Sequence, residues 1–218
     1  MLCDIRKLYE HIPARMEGPR AGKFRNLYEY RFDRNAVLNS PWKNLISFVH
    51  GYRNKKLPDL LAYQKNSFAL ASKNKEALVP LYPLPSPHNH AWYYSWLELP
   101  KQFDFLKSRA SYEKYVYQGR IQKILHHLSI HRPEVVLMYG MNNINLLKKS
   151  VLEVFPKVQF KMVKGSKLQI PQHHRADFNG TTLLITTQVP TLKHNRVETG
   201  FDWEEFGKKV KSENQQQF

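Results

Sequence analysis

The stretch from Gly180 to Arg196, GTTLLITTQVPTLKHNR, passes from an apolar, β-branched segment into a set of groups suited to a polyanion. Thr181 to Thr187 reads as a strand. Gln188 then offers an amide, and Val189 with Pro190 makes an apolar wedge. Thr191, Lys193, His194 and Arg196 follow. Pressed into a DNA groove, such a tip can fill the place of a displaced base while the basic groups hold phosphates. A second loop, VPLYPLPSPHNH, collects Tyr82, Pro83, Pro85, Ser86 and His88. Its prolines force an extended course. Its aromatic and hydroxyl groups suit a pocket wall against a base. The competing reading of each loop is an ordinary structural connection.

Other chemistries fit less well. Ten histidines invite a metal, with His88 and His90 flanking Asn89 and with pairs at His126-His127 and His173-His174. Adjacent helical residues point apart, and no carboxylate lies within the His88 or His173 stretches, as a hydrolytic metal site requires. Solvated or base-contacting histidines are expected instead. A metal-dependent nuclease would need an Asp on one strand, then a Glu or Gln with a Lys two positions on. Asp177 and Gln188 approach this, but Pro190 stands where the Lys belongs. No G-x-S-x-G elbow and no phosphate-binding G-x-x-x-x-G-K-[ST] loop occurs. Cys3 is the one cysteine, which rules out an internal disulfide and a zinc–cysteine cluster. No metal and no cofactor are expected.

The strongest bulk signal is charge: 34 Lys and Arg against 18 Asp and Glu, a net +16. Nucleic acid is the natural partner. The basic residues cluster, with Lys157, Lys161, Lys164, Lys167 and Arg175 in a segment free of acids. No apolar run approaches a transmembrane helix, and the first residues lack a signal-peptide core, so a cytoplasmic chain with no membrane partner is expected.

The elements that must position these groups follow from pattern. NLYEYRF alternates as a strand would. NSPWKNLISFVHG reads as a helix capped by Ser40, with Pro41 in its first turn. Ala77 to Tyr82 reads as a short strand, and residues 111 to 131 as an amphipathic helix. RPEVVLMYG gives a buried strand ending at Gly140. NINLLKKSVLEVFP is a helix, VQFKMV a strand, and DWEEFGKKVKS a helix with Asp202 and Glu205 placed as a capping box. Apolar strands without alternation predict a three-layer α/β/α sandwich with a mainly parallel central sheet. One domain, 1–218, is expected, with a segment 1–40 packed on it and a flexible tail at 211–218. Ligands of such sheets bind beyond the strands' carboxyl ends. That places Pro83 to His90, Gly140 to Asn143 and Gln188 to Asn195 around one site.

In this order the features resemble the uracil-DNA glycosylase superfamily over roughly residues 77 to 210. ALVPLYPLPSP resembles its second strand running into a proline-bearing loop. RPEVVLMYG resembles its next strand, and TTLLITTQVPT its last, which carries a His-Pro-Ser type loop into the minor groove. The resemblance implies an α/β sandwich and hydrolysis of the N-glycosidic bond of a flipped-out damaged or modified base in double-stranded DNA, by a monomer. Gln188 takes the place of the family's loop histidine. A neutral amide still donates a hydrogen bond but is a weaker electrophile. The family's first motif falls either at Glu17 in MEGPR or in YRFDRNAVLNSP, and the second is favoured. Asn39 would then position water, or Asp33 would activate it. The departures point away from uracil, toward an unusual base such as a bulky modified pyrimidine of viral DNA, and so toward antiviral defence. The alternatives are a non-catalytic DNA-binding protein on the same fold and a metal-dependent nuclease using the histidines.

Overall fold

The computed structural model describes residues 29–69, 75–84, 86, 92–96, 100–140, 143–165, 170–186 and 201–216. The chain divides into two compact units, Met1–Val37 with Lys65–Ile124 and Leu38–Gln64 with Leu125–Phe218.

The second unit is built on a four-stranded sheet. Its strands are β1 (Val135–Tyr139), β2 (Lys161–Val163), β3 (His173–Phe178) and β4 (Thr181–Thr186), in the order β1-β4-β3-β2. β1 and β4 run parallel, with Val135 opposite Thr182 and Tyr139 opposite Thr186. β4–β3 and β3–β2 are antiparallel. The sheet is therefore mixed rather than mainly parallel, and the reason is β3, which the sequence reading passed over. Asn179 and Gly180 join β3 to β4 with φ of 49° and 80°. Two positive φ angles make the tight turn that matches strand twist, and Asn-Gly is its preferred pair.

The helices of this unit are α1 (Ser40–Tyr52), most of α2 (Leu60–Asn66), which the division between the units crosses after Gln64, α4 (Ile144–Val154) and α5 (Trp203–Gln215). A long helix, α3 (Arg109–His131), contains the division between the units. α1 and α5 lie over one face of the sheet. Phe48, Tyr52, Trp203, Phe206 and Val210 pack with Leu184 of β4 and with Ile170. Toward the other face, Phe155 at the end of α4 meets Phe178 of β3, ring centroids 4.2 Å apart.

Two glycines set the crossing of α1 and α5. A Cβ on Gly51 would collide with the Glu204 carbonyl, and one on Gly207 with the Phe48 carbonyl. The two backbones touch there, and only hydrogen fits between them. α5 starts at Asp202, whose carboxylate accepts the Glu205 N–H at 2.9 Å. α1 starts one residue earlier than expected. Asn39, not Ser40, is its cap, and the side-chain oxygen accepts the Trp42 N–H at 3.1 Å.

Other expectations change. Residues 29–32 are helical, not a strand. No strand forms at Ala77 to Tyr82. Pro80 has no N–H to give to a ladder, and its carbonyl accepts the Arg120 guanidinium at 3.2 Å. The expected flexible tail is helical to Gln215, because Glu213 and Asn214 hold a buried arginine described below. In the first unit, Trp92 sits 4.8 Å from Tyr94 and 5.0 Å from Tyr112, and its indole N–H donates to the Leu106 carbonyl at 2.7 Å.

Gly207→Ala should destabilise the second unit by about 1–3 kcal/mol through overpacking, read from urea unfolding. Gly180→Ala should destabilise it too, by enforcing a left-handed conformation on a residue with a Cβ. An alanine at 207 that leaves stability unchanged would contradict the close crossing.

Candidate nucleic-acid interface

β1 and β4 end level with each other, Tyr139 beside Thr186. β1 is followed by Gly140, exposed and with φ of 75°, a conformation that favours glycine. Asn143 then caps α4, its side-chain oxygen accepting the Leu146 N–H at 2.9 Å. At the end of β4 the Thr186 hydroxyl donates to the Gln172 carbonyl at 3.3 Å. The expected wedge and basic loop, Gln188, Val189, Pro190, Thr191, Lys193, His194 and Arg196, lies outside the described residues. So do Lys167, Pro85, His88 and Glu17.

The basic segment resolves into two kinds of cation. Lys157, Lys161 and Lys164 are exposed. Lys157 and Lys161 line an open groove beside the β2 edge, together with Arg175, Asp177 and Glu213. Arg175 is different. It lies opposite Lys161 on one side and Leu184 on the other, so its side chain runs under α5 and is 6% exposed. Its guanidinium grips both oxygens of Asp177 at 2.9 and 3.0 Å. It also donates to Glu213 at 2.7 Å and to the Asn214 side-chain oxygen at 2.6 Å. Thr182, opposite Asp177 on β4, donates its hydroxyl to the same carboxylate at 2.7 Å. The Asn214 amide donates to the Tyr52 hydroxyl at 3.2 Å, and Tyr52 in turn reaches Glu134 at 3.4 Å.

This network fixes the charges. Burial works to raise the Asp177 carboxyl, but the hydrogen bonds from Arg175 and Thr182 outweigh it and hold it below its ordinary range. Burial likewise works against the Arg175 charge, and its two carboxylate partners more than restore it. Arg175 is thus a structural ion rather than a phosphate contact, and the groove carries both signs. An alternating Arg-x-Asp on one strand face, followed by Asn-Gly, was the signal for it in the sequence.

The histidines divide in the same way. His173 is 2% exposed. Its Nδ1 meets the Pro171 carbonyl at 2.9 Å, and its ring packs 4.8 Å from Phe206. Burial lowers its pKa. Burial, then the nearby Lys148 charge, lowers that of His174. Contrary to expectation, His173 is not solvated, and neither histidine of the pair is a ready cation at neutral pH.

The remaining site candidates fall in different units. In the second, Asn39 uses its side-chain oxygen for the α1 cap, and its own N–H donates to Gln64 at 2.8 Å. In the first, Asp33 is exposed and accepts the N–H of Arg34 at 2.7 Å. Tyr82 and Pro83 are half-buried, and the Tyr82 ring lies 6.4 Å from Tyr112. Burial raises the Tyr82 phenol. The Leu84 N–H donates to the Tyr112 hydroxyl at 3.0 Å. This part of the proline loop therefore packs into an aromatic core. Ser86 is half-buried.

No family model, curated protein or solved structure matches the chain. Among the described residues no helix is long and apolar enough to cross a membrane.

Arg175→Met should cost about 1–3 kcal/mol at neutral pH, because it removes the guanidinium from two partly exposed carboxylates. The sign of the pH effect follows. Asp177 is depressed in the folded state, so its contribution is present above about pH 4 and is lost as pH falls through its folded value. The gap between wild type and variant should therefore narrow on acidification below about pH 4. Urea unfolding across pH 3–7 measures it.

Proposed function

We propose that the chain is a DNA glycosylase that hydrolyses the N-glycosidic bond of a flipped-out damaged or modified base. The observation that carries this reading is the level pair of parallel strands, β1 and β4. One is followed by Gly140 and the other by QVPTLKHNR, in a protein of net charge +16. Ligands of α/β sheets gather beyond such carboxyl ends. A basic surface beside a pocket is what base flipping requires. In this reading the sheet belongs to a three-layer sandwich of the uracil-DNA glycosylase type. The chain acts as a cytoplasmic monomer on double-stranded DNA, without metal or cofactor.

The roles follow from the chemistry. Gln188 hydrogen-bonds the leaving base as negative charge develops on it. Val189 and Pro190 fill the vacated stack, and Thr191, Lys193, His194, Arg196, Lys164 and Lys167 hold phosphates. Tyr82, Pro83, Pro85, Ser86, His88 and Gly140 line the base. Asn39 keeps its oxygen in the cap, so it offers water its amide N–H groups. Asp33 is the alternative water-activating group. The substrate is an unusual base, such as a bulky pyrimidine of viral DNA, in antiviral defence.

A second reading, a DNA-binding protein without catalysis, is favoured by the commitment of Asn39 to the α1 cap. A nuclease centred on Asp177 fits least, since both carboxylate oxygens already receive Arg175.

The test is formation of alkali-labile abasic sites, in chelator, on uracil-containing DNA and on phage DNA with hypermodified cytosines. Sites should appear on one of them, and Gln188→Ala should slow their formation about 10²-fold. Binding of both DNAs with no abasic sites would sink the glycosylase and leave the binding protein. Chelator-sensitive strand breaks would mark a nuclease. Asn39→Asp keeps the cap and should preserve stability, whereas Asn39→Ala should lose about 1 kcal/mol whichever reading holds.

A further inference from the structure

The first unit carries an aromatic surface that the proposed base excision does not use. Phe105 and Tyr115 stack with ring centroids 4.0 Å apart and planes 9° from parallel. Phe103 continues the row, 6.2 Å from Phe105. Large apolar rings normally retreat from water, yet Phe103 is 38% exposed and Tyr115 67% exposed. One face of Tyr115 is covered by Phe105, and the exposure belongs to the rest of the ring.

Gly119 lies one helical turn beyond Tyr115, inside α3. Glycine weakens a helix interior. Gly51 and Gly207 have a steric reason, because backbone stands where a Cβ would be. Gly119 has none, since a Cβ there would meet nothing within 4 Å. Helical side chains lean toward the N-terminus, so a side chain at 119 would lie over position 115. What the glycine provides is a clearing beside the tyrosine.

The surroundings are basic. Residues 101–123 hold Lys101, Lys107, Arg109, Lys114, Arg120 and Lys123 against Asp104 and Glu113. Asp104 pairs with Lys107, and Glu113 with Arg109. Both acids are therefore answered, while Lys101, Lys114 and Lys123 remain exposed. Tyr115, Gly119 and Lys123 follow one another at four-residue steps along the helix.

We propose that Phe103, Phe105 and Tyr115 form a stacking platform for an unpaired base of single-stranded nucleic acid, with Gly119 as the opening and the flanking lysines on the phosphates. A flat π face with cations beside it matches a base on its charged backbone. A duplex keeps its base faces hidden in the stack, so the platform selects single strands. The inference stands independently of the glycosylase reading.

Fluorescence anisotropy with oligo-dT, oligo-rU and a duplex of the same length tests it on the full chain. Tyr115→Ala should weaken single-strand binding about tenfold, Tyr115→Trp should retain it, and duplex binding should not change. Gly119→Leu supplies the sharper test. It should raise the melting temperature, as a better helix former, and still weaken oligo-dT or oligo-rU binding. Undiminished single-strand affinity in Gly119→Leu would overturn the proposal. So would equal losses for duplex and single strand in Tyr115→Ala. A dimer that Tyr115→Ala converts to monomer, with oligonucleotide affinity intact, would overturn it in favour of self-association.

Discussion

A buried guanidinium organises the second unit. Arg175 reaches from β3 to Asp177 on its own strand and to Glu213 and Asn214 in the last turn of α5. Through Asn214 it connects to Tyr52 of α1, and through Tyr52 to Glu134, the residue before β1. Burying such a cation is costly unless its donors find partners. Here they find two carboxylates and an amide, and the partners become fixed in turn. Register, helix end and sheet edge are consequently one decision. A shift of β3 by one residue would turn Arg175 to the other face and take its guanidinium away from Glu213 and Asn214.

The glycine crossing and the arginine cluster act at opposite ends of the same helix. Near its start α5 is held by contact between backbones, at Gly207 and Gly51. Near its end it is held by charge. On the same side of the helix Phe206 and Val210 fill the core with Leu184 and Phe48. The helix is thereby fixed in position and rotation against a sheet face whose level strand ends, Tyr139 and Thr186, carry the candidate site. Rigid support of this kind is what a binding loop requires, since loops take their precision from the scaffold beneath them.

Much of this architecture was legible in the sequence. β1 and β4 were evident because VVLMY and TTLLIT are rich in apolar and β-branched residues, although only β4 is fully buried and β1 is half-buried. α1 and α5 were evident from periodicity and caps. β3 was missed because HHRADF looks like a polar basic stretch, and its arginine and aspartate reveal a strand face only when taken as alternate residues. The parallel-sheet expectation failed with it. The N-terminal strand and the one at Ala77 to Tyr82 failed for other reasons. Short aromatic alternation cannot be told from a helical turn, and proline denies a ladder its donors. Of the site, Gly140 was readable because a positive φ favours glycine. The role of Asn39 was not, since the same amide that could hold water can equally cap a helix.

The second unit is discontinuous along the chain, with α1 and α2 in one segment and the sheet, α4 and α5 in another. On the ribosome α1 emerges long before α5, the helix it crosses most closely. Until then Phe48 and Tyr52 lack the partners that α5 brings, Trp203, Phe206 and Val210. The β3–β4 hairpin can form locally and quickly, but the α1–α5 crossing joins residues far apart in sequence, such as Phe48 and Gly207. Such topology delays completion of the core. The nascent protein therefore depends on α5 to seal a surface that α1 presents much earlier.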